Sequence, residues 1–152
     1  MDTGNLVHRL TDAADRFQQA SANYYTELHD YGTGELYTST EVHIVTRIEE
    51  NPGITAAKIA EHTCRTKSAV SQMLSKLIAK GLIYREKDPN NGKQQLLYVT
   101  HKGKHLSLCH KAYDEKTIPL DALMEQFGLD TVEKFADLLE YMVEFYQNRQ
   151  KK

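Results

Sequence analysis

Apolar residues recur along the chain with helical spacing, and the breaks in that rhythm divide it into elements. Leu6, Leu10, Ala13, Phe17, Ala20, Tyr24 and Leu28 follow one another at steps of three and four, which predicts a helix over 5–30. Gly32 and Gly34 stop it. The stripe is long for a segment with nothing yet to pack on, so it calls for a partner helix. Val42, Val45 and Ile48, with Ile44 beside them, predict a second helix over 39–50. Thr38 and Glu41 are spaced as a capping box, and Asn51-Pro52-Gly53 supplies the stop. A short helix over 55–62, capped by Thr55, turns Ile59 and Ala60 inward. Thr66 then caps a helix over 67–80, in which Val70, Met73, Leu74, Leu77 and Ile78 form one face. Gly81 ends it. Residues 82–86 and 95–99 are β-rich, and Asp88-Pro89-Asn90-Asn91-Gly92 between them predicts a hairpin with a long tip. Thr100 caps a helix to about Lys116, and Val132, Phe135, Ala136, Leu139, Met142, Val143 and Tyr146 mark a last helix over 131–149.

A short helix, a turn and a longer helix fit a helix-turn-helix, and a β-hairpin directly after it makes a winged helix. The predicted fold is mainly α with a small β-hairpin wing. It divides into an N-terminal dimerisation helix (1–36), a winged helix-turn-helix DNA-binding lobe (37–103) and C-terminal dimerisation helices (104–152).

Charge sharpens this picture. The formal net charge is −2, which alone would argue against a nucleic-acid partner. Yet residues 58–104 hold ten Lys/Arg against three acids, +7, which leaves −9 for the rest. The positive charge sits on the helix-turn-helix and its hairpin. Thr66, Lys67, Ser68, Ser71, Gln72, Ser75 and Lys76 offer hydroxyl, amide and cationic groups away from the apolar face. Such groups suit phosphate oxygens and base edges in a major groove of double-stranded DNA. Lys87, Asn90, Asn91 and Lys93 extend the surface along the hairpin. No apolar run approaches the ~20 residues of a membrane span. Nor is there a basic N-terminal region with an apolar signal core, which points to a cytoplasmic protein without a membrane partner.

The run Thr66-Lys67-Ser68-Ala69-Val70-Ser71-Gln72-Met73-Leu74, then Leu77 and Lys80-Gly81-Leu82-Ile83, resembles the recognition helix of MarR-type transcriptional regulators. Asp88-Pro89 opening the wing and Val99-Thr100-His101-Lys102-Gly103 closing it resemble the same family. The resemblance implies a homodimer whose terminal helices interlock and whose two winged helices straddle a pseudo-palindrome, acting as a repressor. Two positions depart from the family pattern. Asn91-Gly92-Lys93 stands where the wing usually carries Asp and Arg, and Lys lacks the planar fork that suits a narrow minor groove. Gln72 stands where Arg is frequent, and Gln favours adenine over guanine.

Seven histidines and two cysteines raise the question of an effector. His110 and Asp114, four residues apart, can present two ligands on one helical face. By resemblance to the zinc-responsive branch of the family, His43, His110 and Asp114 fall where three metal ligands would lie, for zinc or another divalent transition metal. Glu27 or His29 would complete the set. The bland alternative is a satisfied histidine at a domain junction. Cys64, next to Arg65 and Lys67, is a candidate redox thiol, although small cysteines are common in such turns. Phe17, Tyr24, Tyr25, Tyr31, Tyr37 and Tyr113 suit either an organic small-molecule ligand or plain packing. The rival function is a small metal-binding protein or metalloenzyme using His43, His110 and Asp114. No nucleophile–base spacing or Gly-rich phosphate loop accompanies them, and the basic segment would go unexplained. A winged helix used only for protein contact is a third alternative.

Overall fold

The computed structural model describes residues 3–150. In chain order they form α1 (Thr3–Thr26), β1 (Leu28–Asp30), β2 (Leu36–Thr38), α2 (Ser39–Glu50), α3 (Ala56–His62), α4 (Lys67–Ala79), β3 (Ile83–Asp88), β4 (Asn91–Val99), α5 (His101–Thr117), α6 (Leu120–Phe127) and α7 (Leu129–Gln150). The helices that build the lobe start on threonine. Thr38, Thr55, Thr66 and Thr100 each accept a hydrogen bond from the backbone N–H three residues on. At Thr38 the capping box is complete, because the Glu41 side chain returns to the Thr38 backbone N–H.

The first helix ends at Thr26, four residues before the predicted end. Leu28 belongs to β1, which pairs antiparallel with β2 in the register Leu28↔Thr38, His29↔Tyr37 and Asp30↔Leu36. The physical reason lies in the loop. Asp30 Oδ1 accepts from the backbone N–H groups of Gly32, Thr33 and Gly34 at 2.8, 3.0 and 3.1 Å. That turn competes with the helical ladder. It also lets Tyr31 and Tyr37 become almost fully buried.

The wing differs from expectation in the opposite sense. Its strands are longer and its tip is short. Asp88 pairs with Asn91, leaving Pro89 and Asn90 as the turn, and Asp88 Oδ1 accepts from the Asn90 N–H. A register shift after Lys87 absorbs the extra residues of β4 as a bulge. Between α5 and α7 the structure adds α6, started at Pro119 and stopped by Gly128.

The core lies between α2, α3, α4 and the wing base. Val42, Val45 and Ile48 of α2 meet Ile59, then Val70, Leu74 and Leu77 of α4, with Leu82, Ile83 and Leu97 beneath and Leu106 of α5 alongside. Thr100 locks the corner. Its hydroxyl lies 2.6 Å from the Gly81 carbonyl and 3.1 Å from that of Leu82 and accepts from the Gly103 N–H. Gly103 passes so close to the Leu82 carbonyl that a Cβ would collide with it. The arms look different. No described residue of α1 is buried, and α7 exposes Phe135, Leu139, Met142, Val143 and Tyr146. No helix among the described residues is long and apolar enough to cross a membrane.

Gly103→Ala should separate α5 from the Leu82 carbonyl and loosen the Thr100 corner. We expect a loss of about 1–3 kcal/mol, the usual range for overpacking, read as a lower urea midpoint. An unchanged midpoint would show that the corner is not tight.

Candidate nucleic-acid interface

The lobe core fixes which face of α4 is free. Val70, Leu74 and Leu77 are buried, whereas Lys67, Ser68, Ser71, Gln72, Ser75 and Lys76 are all exposed. The residues do not offer equal chemistry. Thr66 uses its hydroxyl oxygen to cap the helix, 3.2 Å from the Ala69 N–H. Ser75 turns its hydroxyl back to the Ser71 carbonyl at 2.9 Å. Lys67, Ser68 and Gln72 extend from the first two turns. On the wing, Lys87, Asn90, Asn91 and Lys93 are exposed toward the tip. Asn91 Oδ1 accepts from the Lys93 N–H, which braces the bulge.

Lys76 has a partner that sequence spacing did not reveal. Its Nζ lies 3.0 Å from Glu41 Oε1, and Lys80 Nζ lies 2.8 Å from the same oxygen. Glu41 is 2% exposed. Burial pushes its pKa up, but Lys80, the Thr38 N–H and Lys76 together hold the carboxyl below its ordinary value. Lys102 is likewise engaged, 2.8 Å from Glu35. Three of the ten cations in the basic segment are therefore tied to carboxylates on α2 and the β2 approach. Glu41 was legible only as a capping residue. Its buried position follows from sharing a face with Val45 and Ile48.

A second cluster joins α2, α5 and the β1–β2 loop. His110 is buried, stacked on Tyr31 at 5.3 Å between ring centroids and edge-on to His43 at 4.7 Å. Asp114 Oδ2 approaches His110 Nδ1 to 3.1 Å, but off the line a hydrogen bond needs, so neither ring nitrogen has a hydrogen-bond partner. The buried hydroxyls of Tyr31 and Ser39 approach each other, though not in the geometry of a full hydrogen bond. Burial lowers the pKa of His110, against the pull of Asp114 and with the help of His43. His43 keeps an exposed edge, yet the crowding around its ring lowers its pKa as well. Burial raises Tyr31 to about 12. Tyr113 packs edge-on to Tyr31. Tyr37 stands apart, donating to Glu35 at 2.7 Å with Lys80 over its ring.

The three expected metal ligands are thus neighbours, with a donor chemistry that suits zinc. Even so, among the described residues no group of three or more His, Cys, Asp or Glu is arranged to hold a metal ion. His29 faces elsewhere, 3.3 Å from the Tyr24 carbonyl. Cys64 is exposed, at φ 52, with Gln147 Nε2 of α7 3.3 Å from its sulfur. Cys109 is half-buried, 3.7 Å from His105 Nε2.

Comparison with known proteins agrees with this architecture. Residues 37–94 match the MarR family model. The Bacillus subtilis HTH-type transcriptional regulator YhjH is 32% identical over 87 residues, 57% of this chain. The chain spans half the length of that curated relative. Lactococcus lactis ZitR in complex with DNA superposes with a TM-score of 0.66 at 25% identity, covering 93% of this chain and 97% of that one. The MarR family transcription regulator SP03579 superposes at 0.72 with 16% identity, covering 99% and 96%, a likeness of fold alone. Residues 37–94 thus carry a MarR family match, and the described fold is shared with solved MarR family structures.

Proposed function

We propose that the chain binds double-stranded DNA as a homodimer, placing α4 in the major groove and the β3–β4 wing against the backbone beside it. The observation that carries this reading is the free face of α4, where Lys67, Ser68, Ser71 and Gln72 are exposed opposite a fully buried apolar face. Phosphate contacts from Lys67, Lys87 and Lys93 would position the lobe, and Gln72 would read base edges. Thr66 and Ser75 contribute less, since their hydroxyls already serve the helix. The similar ZitR was solved on DNA, which supports the same use here.

Residues 1–36 and 104–152 would form the dimer arms around the lobe at 37–103. Support comes from the apolar side chains they leave exposed, such as Phe17 on α1 and Phe135 on α7. Such a dimer presents two lobes to a pseudo-palindrome, acts as a repressor by occupying it, and works where the DNA is, in the cytoplasm. The metalloenzyme alternative has nothing comparable behind it, because the family and the relatives' names are those of regulators.

We place the effector site at the His43–His110–Tyr31 cluster. Its support is the buried His110 ring, whose two nitrogens have no hydrogen-bond partner, which leaves hydrogen-bonding capacity unused at the junction of arm and lobe. ZitR is a zinc-responsive family member, so zinc is one candidate, together with small polar or phenolic molecules. A ligand there would alter how the lobe sits on the arms and so change the spacing of two reading heads. Coupling of this kind is typically about 1–3 kcal/mol. Oxidation of Cys64 stands as a weaker route to the same end.

Purified protein should have twice the 17.4 kDa chain mass in solution. It should bind DNA from upstream of its own gene with an affinity that falls steeply as salt rises. Gln72→Ala should lower discrimination between operator and random DNA by about 1–3 kcal/mol. Absence of any salt-sensitive binding would overturn the proposal. If zinc changes DNA affinity, His43→Ala should abolish that response, and an unaltered response would remove these histidines from it.

The cluster also predicts a pH effect. His110 and His43 hold a proton less tightly folded than unfolded. The unfolded chain therefore gains protons first, so stability should decline as pH falls below 6.5 toward the lower folded values, and level off beneath them. His110→Leu should flatten that decline in denaturant midpoints measured from pH 7.5 to 5. An equally steep decline in the variant would assign it to other groups.

A further inference from the structure

Glu41 is the one buried carboxylate of the lobe core among the described residues, and both of its oxygens are engaged. Oε2 accepts from the Thr38 N–H at 3.0 Å. Oε1 receives both Lys76, in the last turn of α4, and Lys80, at its C-cap. Lys80 is further fixed over the Tyr37 ring at 5.0 Å. Lys76, in contrast, is 59% exposed along its side chain and starts from the face that α4 turns to solvent.

From this geometry we infer that Glu41 is a positioning residue for DNA recognition, setting the roll of α4 and withholding Lys76 from phosphate. The inference rests on the DNA-binding reading above and deepens it.

Two physical arguments carry it. The first is directional. Val70, Leu74 and Leu77 pack α4 onto the lobe through aliphatic contact, which is non-directional and tolerates some rotation about the helix axis. Two ammonium groups on one oxygen tolerate much less, because both leave the same side of the helix and a roll carries both away from Glu41 together. Buried ionic groups are best attested in this role, selecting one arrangement among several that apolar packing would allow. Gln72 lies one turn before Lys76, so the same roll aims the residue that reads bases.

The second argument concerns charge. The Glu41–Lys76–Lys80 group carries one net positive charge, where two free lysines would carry two. A flexible Lys on the DNA face adds affinity for every sequence equally, since phosphate is everywhere alike. Holding Lys76 on Glu41 trims that indiscriminate attraction while leaving Gln72 and its neighbours free. In this scheme the buried acid raises the ratio of specific to non-specific binding.

The test uses full-length protein and three variants, Glu41→Gln, Lys76→Met and Lys67→Met. Amine labelling of the free protein should modify Lys76 more slowly than Lys67, and Glu41→Gln should bring the two rates together. On DNA, Glu41→Gln should steepen the plot of log affinity against log salt by about 0.9 per protomer for operator and random duplex alike. It should also lower the operator-to-random ratio about tenfold, the scale of one lost base-pair preference. Lys76→Met, which leaves Lys80 and the Thr38 N–H on Glu41, should leave the wild-type slope unchanged, whereas Lys67→Met should flatten it. The inference is overturned if Lys76 labels as fast as Lys67 in the wild type, or if Lys76→Met flattens the slope as much as Lys67→Met does. A Glu41→Gln protein with weaker binding but an unchanged slope and ratio would also overturn it, leaving Glu41 a merely structural role. Failure of the wild type to bind any DNA would instead sink the DNA-binding reading, and the labelling rates would still decide whether Glu41 holds Lys76.

Discussion

The lobe is organised by what α2 has to bury. This helix of twelve residues places Ser39, Glu41, Val42, Ile44, Val45 and Ile48 out of solvent, which is more than one face. A helix so enclosed needs cover from several directions, and α1, β2, α4, β4 and α5 all pack against it. The enclosed surface includes a charge, so its neighbours must provide cations as well as methyl groups. Lys76 and Lys80 of α4 answer that need. The element proposed to face DNA is therefore held to the core by an electrostatic constraint as well as by apolar contact.

Charge has two uses in this molecule, and they draw on the same residues. The basic middle of the chain first suggests ten cations available to a polyanion. Lys76 and Lys80 neutralise Glu41, and Lys102 neutralises Glu35 and reaches the Lys80 carbonyl. The structure records no carboxylate within ion-pair distance of Lys67, Lys87 or Lys93 among the described residues. The acidic remainder of the chain lies largely on the arms, where it would repel DNA from everything but the lobes.

Features set by neighbours in sequence were legible in it. Four threonine caps were placed from local spacing, and so was the inward face of α4. The exceptions depend on distant partners. Nothing near Lys76 announces Glu41, which is thirty-five positions away and becomes a partner only when α2 and α4 pack. The β1–β2 hairpin has strands of three residues, too short for an alternating pattern to register, and Leu28 happens to extend the helical rhythm of α1. The wing tip was misjudged because a run rich in Asp, Asn and Gly signals a turn without saying how a bulge will share it out. At the candidate site, the meeting of His43 with His110 was implied only by the resemblance to zinc-responsive regulators. The loss of hydrogen bonds by His110 was not, because that depends on the angle at which Asp114 arrives.

The exposed apolar faces of α1 and α7 also bear on how much of the protein a cell can keep. A chain whose arms are uncovered offers Phe17, Phe135 and Tyr146 to proteases and chaperones. In the proposed dimer two chains would cover each other's arms, and mass action would make that covered form more stable as concentration rises. Turnover would then be fastest for newly made or surplus single chains. Dosage would be sharpened by degradation, with copies persisting only when there are enough of them to pair.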